Sequence, residues 1–170
     1  SMGYRREDIE KPLVGIIHGF DQVSPGNANN ARLVEAAKIG IAGAGGTPVE
    51  IPIPGVCGSM SGGADTFRYN FTYRDCAASL AEIMMSINRL DACLFIPTCD
   101  NVVPAYLIAA ARVNIPSVFL TGGYMKPGCH CGRVITAFDL PKIISGNAAE
   151  HKLSQQEIDR IIASACPTTG

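Results

Sequence analysis

Short apolar runs alternate along this chain with segments in which apolar residues recur at helical spacing, and no other feature constrains the fold as strongly. The apolar runs occupy residues 12–17, 47–53, 92–96 and 117–120. Runs of this length are typical of strands that are buried on both faces. Because such strands alternate with helices in parallel sheets, the sequence predicts an α/β fold in which helices cover both faces of a parallel sheet.

The helical segments follow the apolar runs. The first carries small and apolar residues from Leu33 to Ala44 and stops at Gly45. The second is predicted to begin at a capping box formed by Thr72 and Asp75. Its core-facing stripe is predicted to consist of Cys76, Leu80, Ile83, Met84 and Ile87.

The carboxyl-terminal half contains two further predicted helices. Pro104 suits the first position of one helix, and Ser154 with Glu157 forms a capping box at the start of the other. Residues 133–149 are ambiguous, and we interpret them as a strand and a short connecting piece. The sequence contains no repeat or linker, so we expect residues 1–170 to form a single α/β domain or a fragment of a larger one.

Composition excludes several classes of protein. Charged residues make up 17%, the net charge is −1 and no Lys/Arg cluster occurs, so nucleic acid is not an expected partner. No apolar run approaches the roughly 20 residues of a membrane span and no signal-peptide pattern is present. We therefore expect a cytoplasmic protein. The seven cysteines indicate thiols rather than disulfides, and Cys76 and Cys93 are expected to be buried.

Open parallel sheets bind ligands beyond the carboxyl ends of their strands, and the chemically active side chains of this chain lie there. The four loops that follow the predicted strands are rich in Gly, Asn, Asp and Cys. Although Gly and Asn also form turns, four such loops at one edge predict a ligand site. The candidate residues are His18, Asn27, Asn29, Cys57, Ser59, Asp65, Cys99, Asp100, Asn101, Cys129, His130 and Cys131.

Two short motifs carry metal-binding side chains. Cys99 supplies a soft thiolate, which suits an iron–sulfur cluster or zinc, and Asp100 a hard carboxylate, which suits magnesium. The alternative is an aspartate that caps a helix beside a buried cysteine. Cys129, His130 and Cys131 can hold zinc, although the usual CxxC spacing is absent. Residues 43–46 precede a strand and do not open a helix, so they are not a phosphate loop.

The longest informative stretch runs from Cys99 to Gly123. Together with residues 25–27, 33–38, 40, 44–50, 55–56, 68–69 and 74, it resembles the amino-terminal part of the dihydroxy-acid dehydratase and 6-phosphogluconate dehydratase family. The resemblance covers nearly all of the chain. It implies a flavodoxin-like, three-layer arrangement that is the amino-terminal part of a larger dehydratase architecture.

The resemblance implies that the chain belongs to a hydro-lyase of amino-acid biosynthesis or sugar-acid metabolism. Family members convert a 2,3-dihydroxy acid to a 2-keto acid through an enol. An iron–sulfur cluster polarises the leaving 3-hydroxyl, and magnesium holds the carboxylate and the 2-hydroxyl. A Lewis acid at each oxygen stabilises charge where it develops. A homodimer is expected on a separate ground, the apolar surface that a fragment exposes.

Carried over residue by residue, the resemblance makes Cys99 a cluster ligand and Asp100 a magnesium ligand. Gly26, Gly58 and Asn101 stand where the family has a cluster cysteine, a magnesium-binding aspartate and a carbamylated lysine. Asn29 replaces a histidine and Asp65 a glutamate. A cluster needs about three or four ligands, so we expect no standard cluster unless Cys57, Cys129 or Cys131 has taken over a role.

Three hypotheses about function follow. The chain is a divergent dehydratase fragment that is inactive by itself, a non-catalytic relative that binds a small acid or a partner chain, or one half of a split enzyme. A fragment should expose apolar surface, so we expect the chain to self-associate.

Overall fold

The computed structural model describes residues 2–57, 67–150, 153–165 and 167–168, and it contains two compact units, Ser1–Gly122 and Gly123–Gly170. The first unit begins with the single-turn helix α1 and contains a short 3-10 helix, Pro25–Asn29. Its other elements are β1 (Leu13–Gly19), α2 (Asn30–Gly43), β2 (Thr47–Ile53), α3 (Tyr69–Ile87), β3 (Ala92–Ile96), α4 (Val102–Val113) and β4 (Ser117–Phe119), with α1 at Arg6–Ile9.

The four strands form one parallel sheet with the order β2-β1-β3-β4. Ile16 and Ile17 are neighbours in β1, so their side chains face opposite sides of the sheet. Ile16 packs with Val34 of α2, whereas Ile17 belongs to the cluster that α3 and α4 cover. Helices therefore lie on both faces, and the predicted three-layer α/β arrangement is confirmed.

Aromatic rings fill the larger core cluster. Phe95 of β3 is stacked against Phe119 of β4 with 4.8 Å between ring centroids, and it contacts Tyr106 of α4 at 5.5 Å. Phe95 and Tyr106 are fully buried, and burial of an aliphatic or aromatic side chain contributes roughly 1.5–3 kcal/mol. This core fixes the strand ends from which the carboxyl-edge loops depart.

Helix α3 buries a different face from the one predicted. Its buried apolar residues are Ala77, Ala78, Ala81 and Met85, and of the predicted stripe only Met84 packs partly against the core. Cys76 is exposed, which also corrects its expected burial, while Cys93 is buried as predicted. Small alanines let the helix approach the sheet closely, and the larger residues are left outside. Leu80, Ile83 and Ile87 are exposed.

Helix boundaries were only partly predicted. The capping box at Thr72 and Asp75 is wrong, because α3 already begins at Tyr69. Helix α4 begins at Val102, so Pro104 lies two residues inside its start. The stop at Gly45 is confirmed, since this residue has φ of +88° in the turn between α2 and β2, a conformation that glycine adopts without strain.

The second unit contains a two-stranded antiparallel hairpin and two helices. The hairpin pairs β5 (Gly128–His130) with β6 (Arg133–Ile135), and the helices are α5 (Leu140–Glu150) and α6 (Gln155–Ala165). The ambiguous residues 133–149 thus form a strand and a helix. The capping box is confirmed: the backbone N–H of Ser154 donates to Glu157 at 2.7 Å, and that of Glu157 donates to the Ser154 hydroxyl at 3.3 Å.

Gly128 lies at a close contact between the hairpin and α6 of the second unit. A Cβ atom at Gly128 would overlap the backbone carbonyl group of Ser164 in α6, so only glycine fits where the hairpin meets that helix. Among the helices in the described part of the chain, none is long and apolar enough to cross a membrane.

Candidate functional site

The site is built on the carboxyl edge of the sheet in the first unit. Strands β1, β2 and β3 are parallel and end at Gly19, Ile53 and Ile96, so the segments that follow them leave the sheet on the same side. Candidate residues of these segments are Asn27, Asn29, Cys57, Cys99, Asp100 and Asn101. The structure brings most of them to this edge, and their roles as ligands stay predictions.

Asn27 is the centre of a polar network. Its amide nitrogen donates to Oδ2 of Asp21 at 2.5 Å, and its Oδ1 accepts hydrogen bonds from the Thr98 hydroxyl at 2.5 Å and from Asn30 at 3.2 Å. A Cβ atom at Gly19 would lie 2.5 Å from Oδ1 of Asn27. Asn27, predicted as a substrate-loop residue, is therefore buried and ties two loops together. Asn29, by contrast, is exposed.

Asp21 anchors the turn that leads into the 3-10 helix. Its Oδ1 accepts hydrogen bonds from the backbone N–H groups of Val23 and Ser24. Burial raises the pKa of this carboxyl group, but the hydrogen bonds from Ser24, Val23 and Asn27 outweigh burial and hold the pKa below its ordinary value. Asp21 is thus a structural anion. Apart from the position of Asp21 after a strand, no sequence pattern indicates this role.

Asn30 begins helix α2 and is 2% exposed. Its amide nitrogen donates to the carbonyl oxygen of Gly19 at 2.9 Å, which joins the helix to the end of β1. Its Oδ1 atom is buried and accepts no hydrogen bond from the described residues.

Cys99 and Asp100 follow β3 directly. The Cys99 thiol donates to Oδ1 of Asp100 at 3.1 Å. Burial is the main reason that the pKa of Cys99 is raised to about 12, and Asp100 and Cys57 raise it further. The electrostatic effect of Cys57 indicates that both thiols lie in the same region of the edge. In this arrangement Cys99 is a neutral thiol at pH 7.

Arg74 and Asn101 meet beside this pair. Asn101 is 5% exposed, and its Oδ1 accepts a hydrogen bond from Nη2 of Arg74 at 3.4 Å. The guanidinium carbon of Arg74 lies 5.1 Å from the centroid of the Phe71 ring. Asn101 is thus turned toward an arginine, and Arg74 is a residue that the sequence analysis did not single out for function.

His18 lies within β1 and is 1% exposed. Its Nε2 lies 3.0 Å from Glu50, and Lys38 contacts the other carboxylate oxygen of Glu50 at 2.6 Å. The Lys38 contact is the largest cause of a lowered pKa for Glu50; burial opposes it and His18 adds to it. The sequence placed His18 in a ligand loop, but here it joins β1, β2 and α2.

The remaining candidate residues either fall outside the described residues or belong to the second unit. Gly58, Ser59 and Asp65 fall outside the described residues. Cys129 and His130 are neighbours in β5 of the second unit, so their side chains face opposite sides of the hairpin. Cys131, with φ of +49°, forms its turn with Gly132. The hairpin therefore does not gather these three side chains into one site.

The donor set at the described edge does not fit a standard iron–sulfur cluster or a magnesium site. Within residues 2–57, 67–150, 153–165 and 167–168, no three His, Cys, Asp or Glu side chains converge to hold a metal ion. Gly26 has no side chain, Asn101 pairs with Arg74, and Asp100 is one carboxylate where magnesium needs several oxygens.

A parallel sheet with helices on both faces and polar loops at its carboxyl edge defines an α/β protein of the open-sheet class. Comparison with known proteins identifies the lineage: residues 11–170 match the model of the dihydroxy-acid/6-phosphogluconate dehydratase N-terminal family. The chain belongs to this family.

Curated relatives agree with the family match. Over its whole length, the chain is 36% identical to a dihydroxy-acid dehydratase from Clostridium novyi, of which it covers 31%. It is also 36% identical to a dihydroxy-acid dehydratase from Lachnoclostridium phytofermentans, of which it covers 30%. The chain therefore spans about three-tenths of the length of these relatives. A solved sigma-54 interaction domain protein from Enterococcus faecalis, 11% identical over 89% of this chain and 87% of its own, has a TM-score of 0.29, which carries no conclusion.

Proposed function

We propose that this chain contributes the amino-terminal part of the substrate edge of a hydro-lyase that dehydrates a 2,3-dihydroxy acid or sugar acid to a 2-keto acid. The observation that carries the proposal is the Cys99–Asp100 pair directly after β3 in a chain that belongs to the dehydratase family. We also propose that the chain alone does not complete the reaction.

The chemistry of dehydration supports the proposal that the chain alone does not complete the reaction. Dehydration removes a proton from carbon 2 and the hydroxyl group from carbon 3, and the enol that results becomes a keto acid. A base and a group that assists the leaving hydroxyl are therefore both needed. The described edge offers the exposed carboxylate of Asp100 and the thiol of Cys99, whose raised pKa keeps it neutral. Among the described residues of this edge, no three His, Cys, Asp or Glu side chains converge to hold a metal ion that could assist the leaving hydroxyl.

The test is turnover and binding by the chain purified without oxygen and supplied with iron, sulfide and magnesium. We expect no 2-keto acid from glycerate, gluconate or related acids, together with measurable binding of at least one of them. Cys99→Ser and Cys76→Ser form a matched pair, since Cys76 is exposed on α3. Turnover that Cys99→Ser abolishes and Cys76→Ser spares would overturn the proposed incompleteness. Absence of binding to any hydroxy acid would overturn the proposed substrate edge.

A second candidate is a non-catalytic relative that binds a small acid. It is favoured by the contact between Asn101 and Arg74, because Asn101 stands at a position where the family has a metal-binding group. To distinguish the two candidates, a separately produced carboxyl-terminal part of a relative is added to the chain in tenfold excess, and turnover and binding are measured. Restored turnover supports the hydro-lyase, and binding that stays without turnover supports the non-catalytic relative.

A further inference from the structure

Arg74 is a partly buried cation that has no counter-ion among the residues the structure describes. Lys11, Lys38 and Arg112 each contact a carboxylate within 4 Å. In the described ranges of the chain, no carboxylate lies within that distance of Arg74. Removing a charge from water is costly unless a partner compensates it. The face of the Phe71 ring supplies only a modest cation–π attraction.

Two donors of Arg74, Nε and Nη2, lie on one edge of its guanidinium group. The Nε atom is buried and has no hydrogen-bond partner among the described residues, and the printed contact of Nη2 is to Asn101 at 3.4 Å, beyond the usual range of 2.7–3.2 Å for such bonds. Arginine grips a carboxylate through two parallel N–H donors held in a planar fork. Nε and Nη2 form such a fork, and the protein leaves it almost empty.

The position of Arg74 links this fork to the substrate edge. Asn101, its hydrogen-bond partner, directly follows Cys99 and Asp100 at the end of β3. A ligand carboxylate on the fork would replace the long contact to Asn101 with two charge-assisted hydrogen bonds. Phe71 is 63% exposed, so movement of its ring away from the guanidinium group meets little resistance from packing.

We propose that Arg74 is the anchor for the carboxylate of the ligand at this edge, which it holds through Nε and Nη2. This inference rests on the proposed function for the identity of the ligand, a small hydroxy acid. The anion site itself is defined by the unpartnered guanidinium edge.

The test uses the intact chain and two probes of nearly equal size, glycerate and the uncharged glycerol, with acetate as a bare carboxylate. The NMR resonance of the Arg74 Nε–H group reports directly on the proposed contact. We expect glycerate and acetate to shift this resonance and glycerol to leave it unchanged. We expect Arg74→Lys and Arg74→Met to weaken glycerate binding by roughly 30-fold or more, because each removes the fork.

Arg68 supplies a matched control, since its guanidinium carbon also lies 5.1 Å from an aromatic centroid, that of Tyr69, but the side chain is exposed. Arg68→Lys should change affinity less than twofold. Glycerate binding that survives both Arg74 variants overturns the inference and leaves the proposed function intact. An Nε–H resonance that responds to acetate while no hydroxy acid binds supports the anion site and overturns the proposed function. A resonance that no carboxylate shifts overturns the inference.

Discussion

Asn27 donates a hydrogen bond from its side-chain amide to Oδ2 of Asp21, with 2.5 Å between the two atoms. Oδ1 of the same side chain accepts from the hydroxyl of Thr98. Asp21 follows β1 and Thr98 follows β3, so a single amide fastens two loops of the carboxyl edge. The geometry of the candidate site therefore depends on a residue that has no need to touch a ligand.

Replacing Asn27 with alanine should weaken the whole fold. The change removes hydrogen bonds to Asp21, Asn30 and Thr98 at a position that is 8% exposed. We expect the free energy of unfolding, measured by urea denaturation, to fall by about 2–4 kcal/mol. Asn29→Ala is the control, because Asn29 is exposed and caps no backbone group. Its effect should stay within about 0.5 kcal/mol, and equal losses in both variants would contradict the role of Asn27.

Two glycine-to-alanine substitutions should have opposite signs. At Gly19 a Cβ atom would lie 2.5 Å from Oδ1 of the tethered Asn27 side chain, whereas at Gly40 in α2 nothing lies within 4 Å. We expect Gly19→Ala to destabilise by about 1–3 kcal/mol, and Gly40→Ala to stabilise by about 0.5–1 kcal/mol because alanine favours a helix. Thermal denaturation of both variants measures the difference. A Gly19→Ala variant that is as stable as wild type would show that the hydrogen-bond network of Asn27 moves aside at little cost in free energy.

Stability should depend on pH through Glu50. Its pKa is lowered from 4.5, chiefly by Lys38 and further by His18, so the ionised form favours the folded state. This contribution is fully present above pH 4.5 and is lost as pH falls through the lowered folded-state value. We expect Glu50→Gln to be less stable than wild type at pH 7, with the gap closing below pH 4.5. Denaturation curves at several pH values test this, and a gap that is constant with pH would contradict it.

The fold was largely predictable because buried strands and Gly turns act locally. Strands β2 and β3 have the predicted bounds, and Gly45 ends the first long helix as expected. Helix α3 was predicted with the wrong face, because spacing alone does not say which of two apolar faces meets the sheet. Ala77 and Ala81 pack there since they are small, and tertiary packing overrode the pattern of larger residues.

The candidate site was less predictable than the fold. Sequence placed Cys99, Asp100 and Asn101 after β3, which the structure confirms, because strand order determines that edge. The partner of Asn101 could not be found from the sequence, since Arg74 lies 27 residues away on another helix. His18 and Asn27 were both interpreted as loop residues near a ligand, and only the three-dimensional contacts show that they are buried.

The exposed stripe of α3 should drive self-association. Leu80, Ile83 and Ile87 are 41–72% exposed on one side of the helix, and adjacent apolar side chains of this kind mark contact surfaces. We expect the average mass of the chain, measured by sedimentation, to rise with concentration and Leu80→Glu to suppress the rise. Leu107→Glu on α4, at a site 49% exposed, is the matched control. A chain that stays monomeric at every usable concentration would contradict this expectation.

The close approach of Gly128 to the backbone of Ser164 has a consequence for how the second unit can evolve. Backbone atoms cannot swing aside as the end of a side chain can, so every substitution at position 128 must push the hairpin away from α6. Cys129 and Val134, exposed on the same hairpin, carry no such restriction. In a library of all single substitutions, we expect position 128 to tolerate only glycine, whereas its exposed neighbours tolerate many residues. The hairpin can therefore change its surface chemistry only at positions other than 128.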